Sequence, residues 1–282
     1  MKKTAIFSFV LAALMLSGCG SSDSSSAETT TTAAPAESKQ EQTEADTTTT
    51  TAAPEESAAE EQPDDGSVKV DFSAAVPDSF EASNGWTNGD PFNVFWRDSN
   101  VLMKDGQMVL TIDKDPDPQQ DIPYSGAEYR SKDFYGYGRY EVSMKAIKND
   151  GVVSSFFTYT GPSDNNPWDE IDVEVLGKDT TKVQFNYFTD GKGEHEFMYD
   201  LGFDASEDYH TYAFEWHKDK IVWFVDGKEA HTAEESIPVT PGKIMMNAWC
   251  GKGVDSWLKA FDDSNLPLSA EYKTISFTPF DE

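Results

Sequence analysis

The chain has 282 residues, with 51 Asp and Glu against 22 Lys and Arg, for a net charge of −29. A field of that sign repels nucleic acid and polyanionic sugars, and a neutral polymer is indifferent to it. No P-loop, helix-turn-helix or dinucleotide fingerprint is present to support nucleotide chemistry or DNA recognition.

Residues 1–18 read as a secretory signal, with Lys2 and Lys3 followed by the apolar run Ala5–Leu16. That run is too short to stay in a bilayer as a permanent helix. Leu16-Ser17-Gly18-Cys19 resembles the lipobox of bacterial lipoproteins, which implies a lipidated Cys19 and a membrane anchor. Residues 19–67 follow as an acidic Ser/Thr/Pro-rich linker. Residues 20–67 carry twelve acids against Lys39 alone and almost no large apolar side chain, so disorder is expected. TTTTAAPAES (29–38) and TTTTAAPEES (48–57) repeat one polar unit that cannot build a solenoid. The expected location is therefore export, with lipid anchoring at a bacterial cell surface or release from it.

Residues 68–282 are long enough for one core and form the expected catalytic domain. Short β-branched and aromatic runs recur at Met108–Ile112, Tyr140–Lys145, Val152–Thr158, Lys182–Tyr187, Tyr212–Trp216, Ile221–Val225 and Lys243–Ala248. Gly, Asn, Asp and Pro separate them, and Asp226-Gly227 signals a hairpin turn. Long amphipathic helix patterns are absent. The pattern predicts an all-β protein, an antiparallel β-sandwich.

Within that domain, Trp168-Asp169-Glu170-Ile171-Asp172-Val173-Glu174-Val175 alternates with period two. Ile171, Val173 and Val175 point one way, so Glu170, Asp172 and Glu174 share the other face. Like charges on one strand face repel, which favours a chemical use for them. Paired carboxyls are the equipment of glycoside hydrolysis. Glu170 and Glu174 have Cα atoms about 13 Å apart on an extended strand. Side chains leaning together could reach either the retaining spacing of about 5–5.5 Å or the inverting one of about 6.5–9.5 Å. The residues alone also fit a solvated acidic face or part of a calcium site. Phe156, Phe157, Tyr159, Trp168, Tyr187 and Phe188 nearby suit the apolar C–H faces of sugar rings.

The run Trp168–Phe188, WDEIDVEVLGKDTTKVQFNYF, resembles the bacterial lichenases, endo-β-1,3-1,4-glucanases of glycoside hydrolase family sixteen. The likeness continues, collinearly, in Ala127–Ser131, Tyr135–Gly138, Val153–Pro162, His210–Phe214 and Pro241–Trp249, covering most of residues 70–278. It implies a jelly roll with a concave substrate cleft, a β-glucan substrate, a monomer and no required cofactor. By position, Glu170 becomes the nucleophile, Glu174 the acid/base and Asp172 the auxiliary acid. Asn88, Glu128, Arg130, Phe157, Tyr159, Trp168, Gln184, Asn186, Asn247, Trp249 and Trp257 fall along the cleft. Trp168, Trp249 and Trp257 are expected as stacking platforms, and Trp216 and Trp223 as core. Glu128 and Arg130 share a strand face and are expected to grip sugar hydroxyls together. His195 and His210 lack metal-ligand spacing and read as structural.

The uninterrupted Glu-x-Asp-x-Glu favours mixed-linkage glucan, since many laminarinases of the family insert a residue before the second Glu. A laminarinase and a non-catalytic glucan-binding lipoprotein are the alternatives. Intact Glu170, Asp172 and Glu174 argue against a pure binder. Four departures from the family stand out. The positions of its disulfide are Val94 and Gly126, and Phe188 replaces a cleft Tyr. Cys250 replaces an Asn in the expected cleft. Lys273 replaces the calcium-ligating Asp, so a structural calcium is doubtful.

Overall fold

Alternation is what drives these segments into strands: every second side chain is apolar and needs a shared interior. The computed structural model describes residues 65–74, 77–119 and 121–281. The signal, Cys19 and nearly all of the linker lie outside the described residues. The first strands are β1 (Val68–Asp71), β2 (Phe80–Ala82), β3 (Phe95–Trp96), β4 (Val101–Lys104) and β5 (Gln107–Gln119). Then come β6 (Ile122–Ser131), β7 (Gly138–Lys145), β8 (Val152–Thr160), β9 (Asp169–Leu176), β10 (Lys182–Phe188) and β11 (Phe197–Asp200). The last are β12 (His210–Trp216), β13 (Ile221–Val225), β14 (Lys228–Ala233), β15 (Lys243–Cys250) and β16 (Leu268–Pro279). Among the described residues one short α-helix, α1 (Asp255–Leu258), follows β15.

One layer orders its strands β11-β10-β9-β8-β15-β6, and the other β5-β16-β7-β12-β13-β14. β5 joins them, pairing with β16 through Met108–Ile112 and with β6 from Asp113 onward. Apart from the parallel β3–β6 contact, every strand pair is antiparallel. This is the expected sandwich, a nearly closed jelly roll. The β13–β14 hairpin turns at Asp226-Gly227 with both φ angles positive, +49° and +73°, the backbone that an Asp-Gly pair admits.

The interior between the layers is aromatic. Phe156 meets Phe214 at 5.8 Å, and Phe185 stacks on Trp223 at 5.6 Å. Ile171, Val173 and Val175 are fully buried in it, as are Trp216 and Trp223. Two polar tips cross the core to brace the first layer's backbone: Trp223 Nε1 donates to the Asp172 carbonyl at 3.1 Å, and Tyr272 Oη to the Ser155 carbonyl at 2.9 Å. Buried donors paired in this way rigidify β9, which carries the acids, and its neighbour β8.

Candidate active site

With its apolar residues committed to the core, β9 presents Glu170, Asp172 and Glu174 to the outer, concave face of the first layer. Strand register then builds three rows across that face. The first is Gln184–Glu174–Ser155–Asn247–Glu128. The second is Asn186–Asp172–Phe157–Met245–Arg130, and the third is Phe188–Glu170–Tyr159–Lys243. Ten of the fourteen expected cleft and catalytic residues are thus brought together by pairing alone: Glu170, Asp172, Glu174, Glu128, Arg130, Phe157, Tyr159, Gln184, Asn186 and Asn247.

Each acid has its own support. Trp168 Nε1 donates to Glu170 Oε2 at 2.5 Å, and Asp172 also hydrogen-bonds Glu170. Gln184 Nε2 donates to Glu174 Oε2 at 2.8 Å. Trp168 in turn stacks on Phe188, ring centroids 4.5 Å apart. Phe188 therefore offers the cleft an apolar wall behind Trp168, where a Tyr would add a hydroxyl.

Burial raises the pKa of all three acids above the ordinary carboxylate range. Asp172 is raised most strongly, because the charges of Glu170 and Glu174 on either side add to its desolvation. Glu174 feels Glu170 and, more weakly, Glu196. Donation from Trp168 and Asp172 draws Glu170 back toward ionisation, as Gln184 does for Glu174. Glu170 and Glu174 keep part of their surface in the cleft, so water moderates both shifts. Burial and the flanking charges favour the protonated form of Asp172, beside a Glu170 that its hydrogen bonds draw toward ionisation and a Glu174 that burial favours in its acid form.

Glu128 and Arg130 do share the cleft face, but Arg130 is gripped by β2 and Glu128 by the residue that follows β2, so neither is left free. Ser83 Oγ donates to Glu128 Oε1 at 2.6 Å, and Arg130 pairs with Glu81 at 3.0 Å. Glu128 is only 2% exposed, and that burial lifts its carboxyl to about 7. Asn186 is also buried, and its Oδ1 has no protein partner. An orphan acceptor on the cleft face is suited to a ligand hydroxyl. Asn88 is exposed and accepts the Trp96 indole at 2.5 Å, which ties its loop to the core.

Two expectations change. Trp249 is 4% exposed, packed on Phe92 at 4.2 Å, so little of its ring is free to act as an open platform. Cys250 does not face the cleft. It is fully buried, its thiol directed at the Asn93 carbonyl, and burial pushes its pKa far above the usual thiol range. Alternation explains both its burial and its direction: Asn247 and Trp249 share one face of β15, so Cys250 takes the other. Val94 and Gly126 are adjacent, as a disulfide would require. A Cβ on Gly126 would lie 2.9 Å from Val94 Cγ2, so the valine fills the space the bridge would occupy.

Several site residues were not singled out from the sequence. Ser155, Met245 and Lys243 face the cleft by strand parity, a signal available once Phe157 and Asn247 are placed. Asp169 had no such signal. Buried one residue before Glu170, it accepts the backbone N–H of Asp190, Val239 and Thr240. His195 stacks on Tyr187 at 3.9 Å, and His210 on Phe203 with Asp226 at its Nδ1. Among the described residues, no group of three or more His, Cys, Asp or Glu is arranged to hold a metal ion. Lys273 lays its ammonium over the Tyr209 ring at 3.7 Å and has no oxygen to offer calcium, so this position does not fit that ion.

Fold and site together define a jelly roll of the glycoside-hydrolase type. The family model for glycosyl hydrolases family 16 matches residues 88–267, and the chain belongs to that family. It is 57% identical over 211 residues to a xylanase/beta-glucanase of Ruminococcus flavefaciens, covering 73% of this chain and 26% of that protein. A beta-glucanase of Acetivibrio thermocellus is 55% identical over 209 residues, covering 73% of this chain and 62% of its own length. The chain thus spans less than two thirds of these relatives. A solved beta-1,3-1,4-glucanase (lichenase) derived from a mouse hindgut metagenome is 52% identical, with TM-score 0.73 over 76% of this chain and 99% of that one.

Proposed function

We propose that the chain is an endo-acting, retaining hydrolase of mixed-linkage β-1,3-1,4-glucan. The observation that carries the assignment is the unequal support of two carboxyls on one strand face: Glu170 receives two donors, Glu174 one. Glu170 attacks the anomeric carbon while Glu174 gives its proton to the departing glycosidic oxygen. A glycosyl ester forms on Glu170 and the shortened glucan leaves. Glu174, now a carboxylate, takes a proton from water as that water attacks the same carbon. Glu170 departs and the β configuration is restored. Asp172, protonated and hydrogen-bonded to Glu170, steadies that carboxylate before it attacks and again as it departs. Phe157, Tyr159 and Trp168 supply apolar surface to the rings, and Asn186 Oδ1 an acceptor for a hydroxyl.

The mixed-linkage preference draws its support from the unbroken Glu-x-Asp-x-Glu spacing and from the named activity of the mouse-hindgut relative. Product analysis on barley β-glucan, lichenan, laminarin and carboxymethyl-cellulose tests it. Hydrolysis of the first two with the β-anomer appearing first in proton NMR is expected. Preferential cleavage of laminarin would make the enzyme a β-1,3-glucanase, and an initial α-anomer would remove Glu170 as nucleophile. We also propose export and anchoring through lipidated Cys19 on an acidic stalk. Cys19→Ala should release the protein from membranes or leave its signal uncleaved, and unchanged retention and processing would refute the anchor.

A further inference from the structure

We propose that Trp257 is a positioning residue for the acid/base: its indole N–H locks the Gln184 amide in the one orientation that can only donate to Glu174. The proposal rests on Glu174 being the acid/base. Trp257 sits on α1, far along the chain from β10, and its Nε1 donates to Gln184 Oε1 at 3.1 Å. The other end of the same amide, Nε2, donates to Glu174 Oε2 at 2.8 Å. An indole N–H has no acceptor capacity. Turning the amide over would set NH₂ against N–H at one end and leave the carbonyl at the other. Gln184 is 4% exposed, so water is not available to satisfy the misplaced groups.

The segment bearing Trp257 is itself tied down at several points. Lys178 Nζ donates to the Trp257 carbonyl, and Gly151 N to the Leu258 carbonyl at 2.8 Å. Asn149, 6% exposed, donates from Nδ2 to the carbonyls of Asp150 and Asp262 at 2.9 Å, and its Oδ1 accepts from Asn265 Nδ2 at 3.0 Å. These groups belong to the β7–β8 connection, to the segment after α1 and, for Lys178, to the β9–β10 connection. Together they fix the indole relative to the cleft floor.

The lock has a chemical consequence. Burial and the Glu170 charge push Glu174 toward its protonated form, with Glu196 adding to them, and a fixed donor opposes that push. Asp172 lies between the two Glu side chains on the same strand, and Lys178 is engaged with the Trp257 carbonyl. Glu174 ionises as it gives up its proton and must stay ionised until water attacks. An amide free to present its carbonyl would favour the acid form instead.

The test is the pH dependence of kcat/KM on barley β-glucan for wild type, Trp257→Phe, Gln184→Leu and the double variant. Phenylalanine keeps an aromatic ring and removes only the N–H and part of the surface. Each single change should move the basic limb upward by about one to two pH units, the scale of one charge-assisted hydrogen bond. The double variant should move it no further than Gln184→Leu alone. A Trp257→Phe enzyme with raised KM and an unmoved basic limb would overturn the proposal, leaving the ring a contact surface. Additive shifts in the double variant would overturn it too. Glu174→Ala separates the two levels of the argument: loss of hydrolysis with azide rescue to a β-glycosyl azide upholds the acid/base assignment, whereas activity retained with a wild-type basic limb sinks that assignment and the relay with it.

Discussion

Replacing Asp169 by Asn is the most direct probe of how the acidic strand is held. Asp169 Oδ2 accepts two backbone N–H groups, from Val239 at 3.0 Å and Thr240 at 2.9 Å, and Oδ1 accepts one from Asp190 at 2.9 Å. Asparagine has a single acceptor oxygen, which the two-donor side will claim. Its NH₂ then faces the Asp190 N–H, so one bond is lost and the remaining two lose their charge assistance. At about 1.5–3 kcal/mol for a hydrogen bond to a charged group and about 1 for a neutral one, exchanging three of the first for two of the second loses roughly 2.5–7 kcal/mol. For a domain of this size that lowers the thermal midpoint by about 5–28 °C. Urea unfolding followed by tryptophan fluorescence, with thermal melts beside it, measures the loss. Activity should fall as well, because the released segment includes Gly191, whose N–H donates to the Trp168 carbonyl at 2.8 Å beside Glu170. A variant within about 0.5 kcal/mol of wild type would show that water replaces these contacts freely and would refute the reasoning.

Glu128→Gln tests the cost of burying a carboxyl in the first row. Its folded pKa, about 7, lies above the ordinary value, so the group favours the folded state below pH 4.5 and that preference is lost as pH rises toward 7. The variant should therefore match wild type near pH 4 and exceed it by about 1–3 kcal/mol at pH 8, read from urea midpoints at the two values; an equal difference at both would show the carboxyl stays neutral or solvated. Gly126→Ala should destabilise by about 1–3 kcal/mol, since the new methyl meets Val94 Cγ2 and the Ala248 carbonyl, both at 2.9 Å. Adding Val94→Ala should recover part of that loss, and a double variant no better than the sum of its singles would place the clash elsewhere.

Strand formation on β9 could be read directly from the amino acids, because side-chain direction is a local property with period two. Ile171, Val173 and Val175 had to share a face, and the three acids the other. The Asp226-Gly227 turn was legible for the same reason, as two adjacent residues tolerant of positive φ. Parity on β15 also contained the position of Cys250, although its neighbourhood to Trp249 suggested the cleft. The short strands β2, β3, β11 and β14 left little pattern. β2, β3 and β11 are held by pairing with longer neighbours, and β14 by its hairpin with the buried β13, rather than by their own alternation.

Everything that makes a site from those acids depended on contacts between distant parts of the chain. Register across five strands set Gln184 beside Glu174 and Glu128 beside Asn247. Loop closure brought the Trp257 indole onto Gln184, and Asp169 onto the backbone of Val239 and Thr240. The sequence determined which way each side chain points, since that follows from the geometry of a single strand. Only the tertiary structure decided what each side chain meets, because register and loop closure are set by the packing of the whole core.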